Sequence, residues 1–277
     1  MLRTFKADLH VHTCLSPCAD LEMSPRAIVT RALEKGIDLI GITDHNSSEN
    51  VPALMKAAVG TGVTILPGME ATSKEEVHLL ALFDSLSQAF SFQQTVYDHL
   101  PGENDQEAFG MQVVVNEESD VLGFNPRLLA GATELTTDQL VEAIHSLNGV
   151  VIASHVDRET FGIIGQLGFI PQGLPLDALE LSPNTSLSEG RRRFSNYAHL
   201  TFVSSSDAHY LTDIGKVTTL FLLAEPTARE LKKAFVCEEG RRVVLEDGAT
   251  VDPTHAKTRH SGGIPYARPV AAYIGHC

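Results

Sequence analysis

The stretch Leu39-Ile40-Gly41-Ile42-Thr43-Asp44-His45 joins a short apolar run to two side chains that can bind metal. Such a run predicts a buried β-strand. Five other segments share this arrangement, with an imidazole or a carboxylate at or near one end of an apolar run: residues 7–12, 65–70, 77–80, 151–155 and 202–209. Because parallel strands end together at one edge of a sheet or one mouth of a barrel, we expect these side chains to meet there.

Helix-like and strand-like segments alternate along the chain. Ser24-Pro25 predicts the N-cap and first residue of a helix, and Gly36 predicts its end, directly before a strand at 37–43. We predict further helices at 50–60, 138–147 and 227–236, and further strands at 63–68, 150–153, 178–181, 201–204, 217–223 and 242–245. This alternation predicts an α/β fold, with a parallel sheet or barrel covered by outer helices.

Residues 101–135 interrupt the alternation. They begin with a loop-like segment and continue with two short apolar runs, at 111–115 and 121–124, which predict a small β-hairpin. We interpret the segment as an insertion into a domain spanning 1–248, and expect it to lie at the mouth and shape substrate access. Residues 249–277, rich in Pro and Gly, are expected to form a C-terminal tail.

Composition restricts the partners. The 277 residues are 43% hydrophobic, enough for one sizeable core, and the formal net charge is -14. This charge argues against an anionic membrane partner and against stable binding of duplex nucleic acid. With no Trp and 6% aromatic residues, an aromatic-basic groove is not expected, which favours a small phosphorylated substrate or a short oligonucleotide. The absence of a signal peptide predicts a cytoplasmic location.

The residue types at the strand ends suit metal binding. His10 and His12 are two residues apart, so on a strand both side chains point to one face. Asp207 and His209 repeat this spacing. Together with Asp44-His45, Glu70, His78 and His155, they form a set of ligands that suits Zn²⁺, Mn²⁺ or Fe²⁺. A carboxylate such as Glu70 can bridge two metals, and paired metals that activate a water are typical of hydrolases.

Five motifs together resemble those of the PHP (polymerase and histidinol phosphatase) family: Asp8-Leu9-His10-Val11-His12-Thr13, Ile42-Thr43-Asp44-His45-Asn46, Pro67-Gly68-Met69-Glu70, Ser154-His155 and Ser206-Asp207-Ala208-His209. The resemblance covers about residues 5–245, in the family's order. It implies a distorted (β/α)7 TIM-like barrel with two or three divalent metal ions at its C-terminal mouth. It also implies hydrolysis of phosphate esters.

The resemblance also implies three sets of ligands. His10, His12, Glu70 and Asp207 would bind the first metal, and a bridging Glu70 would bind the second together with His78 and His155. His45 and His209 would bind a third metal with one more ligand. Asp20 is the preferred candidate for this last ligand because it keeps the family's spacing to the Ser-Pro helix start. The alternative is Cys18, whose thiolate suits Zn²⁺ or Fe²⁺, whereas Cys14 is expected to be an ordinary buried thiol.

Three further residues are candidates for catalysis or substrate binding. Asp44 either orients a ligand imidazole, with occasional metal binding, or serves as a turn or N-cap carboxylate. Arg158, three residues after His155, would bind a phosphate through two hydrogen bonds, unless it is a surface arginine paired with Asp157 or Glu159. His209 or a water would protonate the leaving oxygen.

The leading hypothesis is therefore a metal-dependent phosphoesterase that hydrolyses a small phosphate ester. One alternative is a nuclease-like phosphodiesterase acting on short oligonucleotides or nucleoside 3′,5′-bisphosphates. A second is a non-catalytic accessory module, as PHP domains are in some DNA polymerases. A third is a metal-dependent hydrolase of C–N or C–O bonds, although such barrels usually carry a metal-bridging lysine, and none is found at a strand end here.

Overall fold

A computed structural model describes residues 1–244 of the chain; the predicted tail at 249–277 lies outside the described residues. The described part contains strands that are named in chain order: β1 (Arg3–Val11), β2 (Leu39–Ile42), β3 (Thr64–Thr72), β4 (His78–Leu82), β5 (Val113–Val115), β6 (Val121–Phe124), β7 (Val150–Ala153), β8 (Ala178–Leu181), β9 (Thr201–Ser204), β10 (Thr219–Leu223) and β11 (Arg242–Val244). The helices are α1 (Pro25–Lys35), α2 (Val51–Ala57), α3 (Leu86–Tyr97), α4 (Gln106–Phe109), α5 (Thr137–Ser146), α6 (Ile163–Leu167), α7 (Leu187–Arg193) and α8 (Ala228–Phe235).

Nine strands form one curved sheet in the order β11-β10-β1-β2-β3-β4-β7-β8-β9. The segment after β9 returns to β1, where Ala208 donates to the carbonyl of His10 at 3.2 Å and accepts from the amide of His12 at 3.0 Å. The sheet is thus a nearly closed barrel, and the predicted α/β barrel is confirmed. Four of the eight neighbouring pairs are parallel. Strand β4 runs antiparallel to both β3 and β7, and β10 runs antiparallel to both β1 and β11.

Strand β3 is longer than the predicted strand at 63–68, because it changes partner partway along. Its first half pairs with β2 and its second half, from Gly68 to Thr72, pairs with β4. A Cβ at Gly68 would lie 2.5 Å from the carbonyl oxygen of Ala81, so this crossing requires glycine. Glu70 consequently lies within a strand and not after its end.

The other predicted elements lie within a few residues of their predicted positions. Helix α1 begins at Pro25 and ends before Gly36, which adopts a left-handed φ of 61° and closes the helix with backbone hydrogen bonds. The predicted strands at 150–153, 178–181 and 201–204 match β7, β8 and β9. Helix α3 was not predicted, although its N-cap Ser85 accepts a hydrogen bond from the Gln88 amide.

The core has two layers, which strand β4 separates. Leu80 and Leu82 pack inside the barrel with Leu9 and other strand residues. Leu79 and Phe83 point the opposite way, toward the helices. This alternation follows from the two-residue period of a strand. A fully buried side chain such as Phe83 contributes roughly 1.5–3 kcal/mol to stability. Burial in the two layers therefore stabilises the strands that position the polar residues of the mouth.

The insertion contains the predicted hairpin, since β5 and β6 pair in an antiparallel register. It is attached beside the mouth. The Asn46 side chain donates to the carbonyls of Leu129 and Gly131, both at 2.8 Å, and Asn50 donates to the carbonyl of Val113 at 3.0 Å. The insertion therefore packs against the residues that follow β2.

Within residues 1–244, the structure contains no helix that is both long enough and apolar enough to cross a membrane.

Candidate metal centre

Six strands bring their polar residues to one mouth of the barrel. His10 lies on β1 and His12 directly after it, His45 follows β2, and Glu70 lies on β3. His155 follows β7, and Asp207 and His209 follow β9. His78 is the first residue of β4, and because β4 is antiparallel, its beginning lies where the parallel strands end. A histidine at the beginning of β4 therefore lies at the same mouth as the residues at the ends of the parallel strands.

Glu70 is the centre of this cluster. Its carboxylate, 1% exposed, has five imidazoles around it. The Oε1 atom lies 3.1 Å from His78 Nδ1, 3.3 Å from His155 Nε2 and 3.4 Å from His10 Nε2. The Oε2 atom lies 3.2 Å from His45 Nδ1 and 3.7 Å from His12 Nε2. Both oxygens of this one carboxylate therefore lie close to imidazole nitrogens, as would the oxygens of a carboxylate that bridges two metals.

Asp207 is the second carboxylate of the mouth, and its two oxygens face different groups. Oδ1 lies 3.3 Å from the Nε2 atoms of both His10 and His12. Oδ2 accepts from Arg158 Nη1 at 2.8 Å, and the arginine side chain remains 38% exposed. Arg158 is thus paired neither with Asp157 nor with Glu159, the two surface partners considered from the sequence. Arg158 therefore contacts the cluster and remains accessible from the open side of the mouth.

The donor set fits divalent metal ions. Three groups of ligand atoms each lie within 4.8 Å of one another: His12, His45 and His209; His10, His12 and Glu70; His45, Glu70 and His78. Zinc bonds of 2.0–2.1 Å in a tetrahedron would separate ligand atoms by about 3.3 Å, close to the distances around Glu70. The buried atoms His45 Nδ1, His78 Nδ1 and Glu70 Oε1 have no hydrogen-bond partner in the described chain. A bound cation would give these buried nitrogen and oxygen atoms a polar partner.

Two of the histidines are oriented by partners on their far side. His10 Nδ1 donates to Glu180 Oε2 at 2.9 Å, which directs Nε2 into the cluster. His12 Nδ1 donates to Ser16 Oγ at 3.0 Å, and the Ser16 hydroxyl donates in turn to Asp44 at 2.7 Å. Such contacts fix the tautomer and ring position of metal-binding histidines.

The backbone carbonyl of Asp44 accepts from the amide of Glu70 at 3.0 Å, and its carboxylate contacts His12 of the cluster through Ser16. It also accepts from the amide and the hydroxyl of Thr13, both at 2.7 Å, so it fixes the loop after β1. Both of its predicted roles, a turn carboxylate and an indirect support for a ligand imidazole, correspond to contacts of this one side chain.

Nearby charges set the protonation states in the metal-free centre. Burial lowers the pKa of His10, but the carboxylates of Glu180, Glu70 and Asp207 outweigh it and hold that pKa well above its usual value. Burial and, as the next largest cause, the neighbouring His209 lower the pKa of His12 to about 4. Burial raises the pKa of Glu70, yet His78 and His10 bring it well below its usual range. Glu70 is therefore ionised and His12 neutral at neutral pH, which are the forms that bind metal.

The backbone is strained at three positions of the mouth. Asn46, His155 and Asp207 adopt positive φ values of 49°, 28° and 49°, which residues other than glycine rarely adopt. Each follows a strand that delivers a ligand residue. Strain of this kind is found at functional sites, where the surrounding structure enforces it.

The structure brings together eight of the nine candidate ligands, and Asp20 is the exception. His155 and Asp207 contact other members of the cluster, whereas the Asp20 carboxylate belongs to none of the three groups above and, within residues 1–244, forms no ion pair with a cluster histidine. Its side chain accepts from the amide of Glu22 at 2.8 Å, while its own amide donates to the carbonyl of His209 at 2.9 Å. Cys18 is exposed and Cys14 is buried, the latter as expected. In the structure, His12 completes the group that contains His45 and His209.

Sequence reasoning missed Glu180 and Ser16. Glu180 is 1% exposed, and its Oε1 atom has no hydrogen-bond partner among the described residues. A signal was available, because Glu180 is a lone carboxylate in the apolar run Ala178-Leu179-Glu180-Leu181, and buried carboxylates require a partner. Ser16 gave no such signal, since a loop serine has many uses.

Comparison with known proteins agrees with this geometry. A family model described as the PHP domain matches residues 8–166, and a model described as PHP-associated matches residues 191–238. PHP proteins are metal-dependent hydrolases of phosphate esters. The first match covers more than half of the chain and contains seven of the nine candidate ligands; the other two, Asp207 and His209, lie in the second.

Two curated proteins share local similarity with the chain. The 5′-3′ exoribonuclease Rnm of Salmonella typhimurium is 31% identical over 80 residues, which cover 27% of this chain and 26% of that protein. An uncharacterized protein of Methanocaldococcus jannaschii is 32% identical over 100 residues, or 33% of this chain and 58% of that protein. The matches thus span about a quarter and somewhat more than half of these relatives.

Among solved structures, the chain is similar to a lesion-specific endonuclease from Pyrococcus furiosus. The TM-score is 0.69 at 21% identity, over 88% of this chain and 58% of that chain. At this level of identity the likeness establishes a shared fold.

Proposed function

The chain belongs to the PHP domain family, and from this premise we propose that it is a metal-dependent phosphoesterase whose centre is built on Glu70. The observation that carries the proposal is the contact of one buried carboxylate with five imidazoles at 3.1–3.7 Å. A structural carboxylate needs one or two partners, whereas a bridging metal ligand needs several ligands around both oxygens.

Contacts among the described residues support the first two of the three proposed ligand sets. Asp207 with His10, His12 and Glu70 forms one set. Glu70 with His78 and His155 forms the second. His45 and His209 belong to a third, for which Asp20 stays our proposed additional ligand; His12 also lies within 4.8 Å of both, measured between ligand atoms. Bound divalent ions would supply an activated water and would stabilise negative charge on the phosphoryl oxygens.

The chain's own residues have separate tasks. Glu180 and the Ser16–Asp44 pair keep the Nε2 atoms of His10 and His12 directed into the cluster. Arg158 has further N–H groups besides the one that Asp207 accepts, and its exposed guanidinium can donate them to a phosphoryl oxygen. His209 Nδ1 donates to the carbonyl of Asp207 at 2.9 Å, which leaves Nε2 to bind a metal or to transfer a proton to the leaving oxygen.

A nuclease-like phosphodiesterase is the second candidate. Both a relative and a structural neighbour with known activity cleave nucleic acid, one as a 5′-3′ exoribonuclease and the other as a lesion-specific endonuclease. The net charge of -14 argues against a long polyanion, so a short oligonucleotide is the matching substrate. The accessory module is disfavoured because eight of the candidate ligands converge.

The test combines metal analysis with a substrate screen. Purified protein is stripped with a chelator, reloaded with Mn²⁺, Zn²⁺ or Fe²⁺, and assayed on phosphomonoesters, nucleoside 3′,5′-bisphosphates and short oligonucleotides. We expect at least two equivalents of bound metal and hydrolysis that depends on them. Protein that binds two metals but hydrolyses none of these substrates would favour the accessory module.

A further inference from the structure

Phe161 is an exposed aromatic residue at the rim of the metal centre. Its ring stacks on the imidazole of His78, with centroids 4.4 Å apart and planes inclined by 16°. The residue is nevertheless 41% exposed. Because one face of the ring covers the imidazole, the exposure belongs to the opposite face and the edges. A flat apolar surface is therefore open beside a histidine that contacts Glu70.

The loop after β7 holds this ring in place against an unfavourable backbone conformation. Phe161 has a φ of 61°, which a bulky residue rarely adopts, and its carbonyl accepts from the amide of His78 at 2.9 Å. At Gly162, a Cβ would lie 2.7 Å from the carbonyl oxygen of Arg158, so only glycine allows this turn. The turn thus fixes an exposed aromatic ring at the mouth.

The start of the same loop is fixed as well. Asp157 accepts from the amide and the hydroxyl of Ser182 at 2.7 and 2.6 Å, and from the hydroxyl of Thr185 at 2.7 Å. Arg158 is held by Asp207 at 2.8 Å. The loop therefore presents a guanidinium and an aromatic ring three residues apart on a rigid backbone, a pre-organised arrangement that lowers the cost of binding.

A guanidinium that contacts Asp207 and an aromatic ring that contacts His78, both on one loop, suit a ligand that carries both a phosphate and a planar ring. Aromatic side chains stack on nucleobases with little dependence on base identity, because every base has a π-face. Such stacking also provides affinity without additional positive charge. This matters in a chain with a net charge of -14, where phosphate contacts alone give little attraction.

We propose that Phe161 is a specificity-determining residue whose open face stacks on the base of a nucleotide substrate, while Arg158 donates to the phosphate at the proposed metal centre. The inference rests on the phosphoesterase function proposed above and narrows its substrate class to nucleotides, either free or at the end of a short oligonucleotide. A role in shielding His78 from water is the competing explanation, and the test separates the two.

The test measures binding, so that it does not depend on turnover. The ligands are the phosphonate analogues of adenosine 5′-monophosphate and of ribose 5-phosphate, in which a methylene group replaces the cleavable ester oxygen. They differ only in the base. Calorimetric titration of Mn²⁺-loaded protein gives the ratio of the two Kd values for wild type, Phe161→Leu and Phe161→Tyr. Phe169→Leu, at a residue that is 58% exposed outside the metal centre, is the matched control.

We expect wild type, Phe161→Tyr and Phe169→Leu to prefer the base-bearing ligand, and Phe161→Leu to lose at least about fivefold of that preference, the lower end for one stacked base. Equal weakening of both ligands, loss of bound metal from Phe161→Leu, or an unchanged ratio would overturn the inference. Failure of wild-type protein to hydrolyse any phosphate ester contradicts the phosphoesterase function instead, because the binding ratio is measured on ligands that are not cleaved.

Discussion

The two carboxylates of the mouth, Glu70 and Asp207, are close to the same histidines but have different surroundings. Glu70 is 1% exposed and contacts imidazoles from both oxygens. Asp207 has three imidazoles near one oxygen, those of His10, His12 and His209, whereas its other oxygen accepts from the partly exposed Arg158. We infer that Glu70 is shared by the proposed metals, whereas Asp207 binds one of them and connects it, through Arg158, to the substrate.

Replacing the deeper carboxylate should have the largest effect. Glu70→Gln keeps the shape but removes the charge that both proposed metal ions share, so turnover should fall by roughly a thousandfold or more, at or above the loss from removing one electrostatic stabiliser. Metal content should drop below two equivalents, while the thermal midpoint of metal-free protein changes little. Glu142→Gln, at an exposed position on α5, controls for the change in net charge. Two retained metals with full turnover would contradict the bridging role.

Acidification should weaken metal binding by about a hundredfold between pH 7 and pH 5. The raised pKa of His10 means that a proton occupies its ring at neutral pH in metal-free protein, so a metal must displace this proton. His12, with a pKa of about 4, stays neutral across this range and adds no competition. One displaced proton lowers the apparent affinity about tenfold for each pH unit. Titrations in buffers of different ionisation enthalpy measure the released proton, and a pH-independent affinity would disprove this account of His10.

Substitution of Arg158 tests the side that faces the substrate. Arg158→Lys keeps the charge and loses the planar fork, and Arg158→Ala loses both. Catalytic efficiency should therefore fall in the order wild type, Lys, Ala, by up to about two decades for the loss of charge-assisted hydrogen bonds. Metal content should stay at the wild-type level. The matched control is Arg229→Ala, an exposed arginine on α8, and equal efficiency in all of these proteins would make Arg158 a surface residue.

Glu180→Gln should have the smallest effect of the four. The amide oxygen can still accept from His10 Nδ1, so the ring stays in place but becomes a weaker ligand. Loss of such an orienting carboxylate typically lowers metal affinity about 10- to 100-fold. The dissociation constant for Mn²⁺, measured beside the Glu142→Gln control, reports this change. An affinity equal to that of wild type would show that Glu180 serves packing alone.

The sequence identified most of the residues that meet at the mouth because their signals are local. The His10-Val11-His12 spacing places two rings on one face of a strand, and the apolar runs before His45, His155 and Asp207 mark strands that end in polar residues. The hairpin and the helix before Gly36 depend on equally local features. The positions of these elements follow from the hydrophobic period and the turn residues of short segments. They can therefore be predicted from a single sequence.

What the sequence missed depends on pairing between distant segments. The antiparallel direction of β4 and the partner change of β3 at Gly68 result from strands that meet only in the folded barrel. Asp20 stays a proposed ligand on its spacing, although its carboxylate accepts from the amide of Glu22 in the turn that it occupies. The positive φ of Phe161 could not be predicted from its residue type, because phenylalanine rarely adopts it and tertiary contacts impose it.

The most direct test of the central claim is anomalous diffraction from crystals grown with Mn²⁺ or Zn²⁺. The account predicts at least two anomalous peaks that share Glu70 as a ligand, one next to His10, His12 and Asp207 and the other next to His78 and His155. A single peak that Glu70 does not touch, or peaks confined to the protein surface, would contradict it.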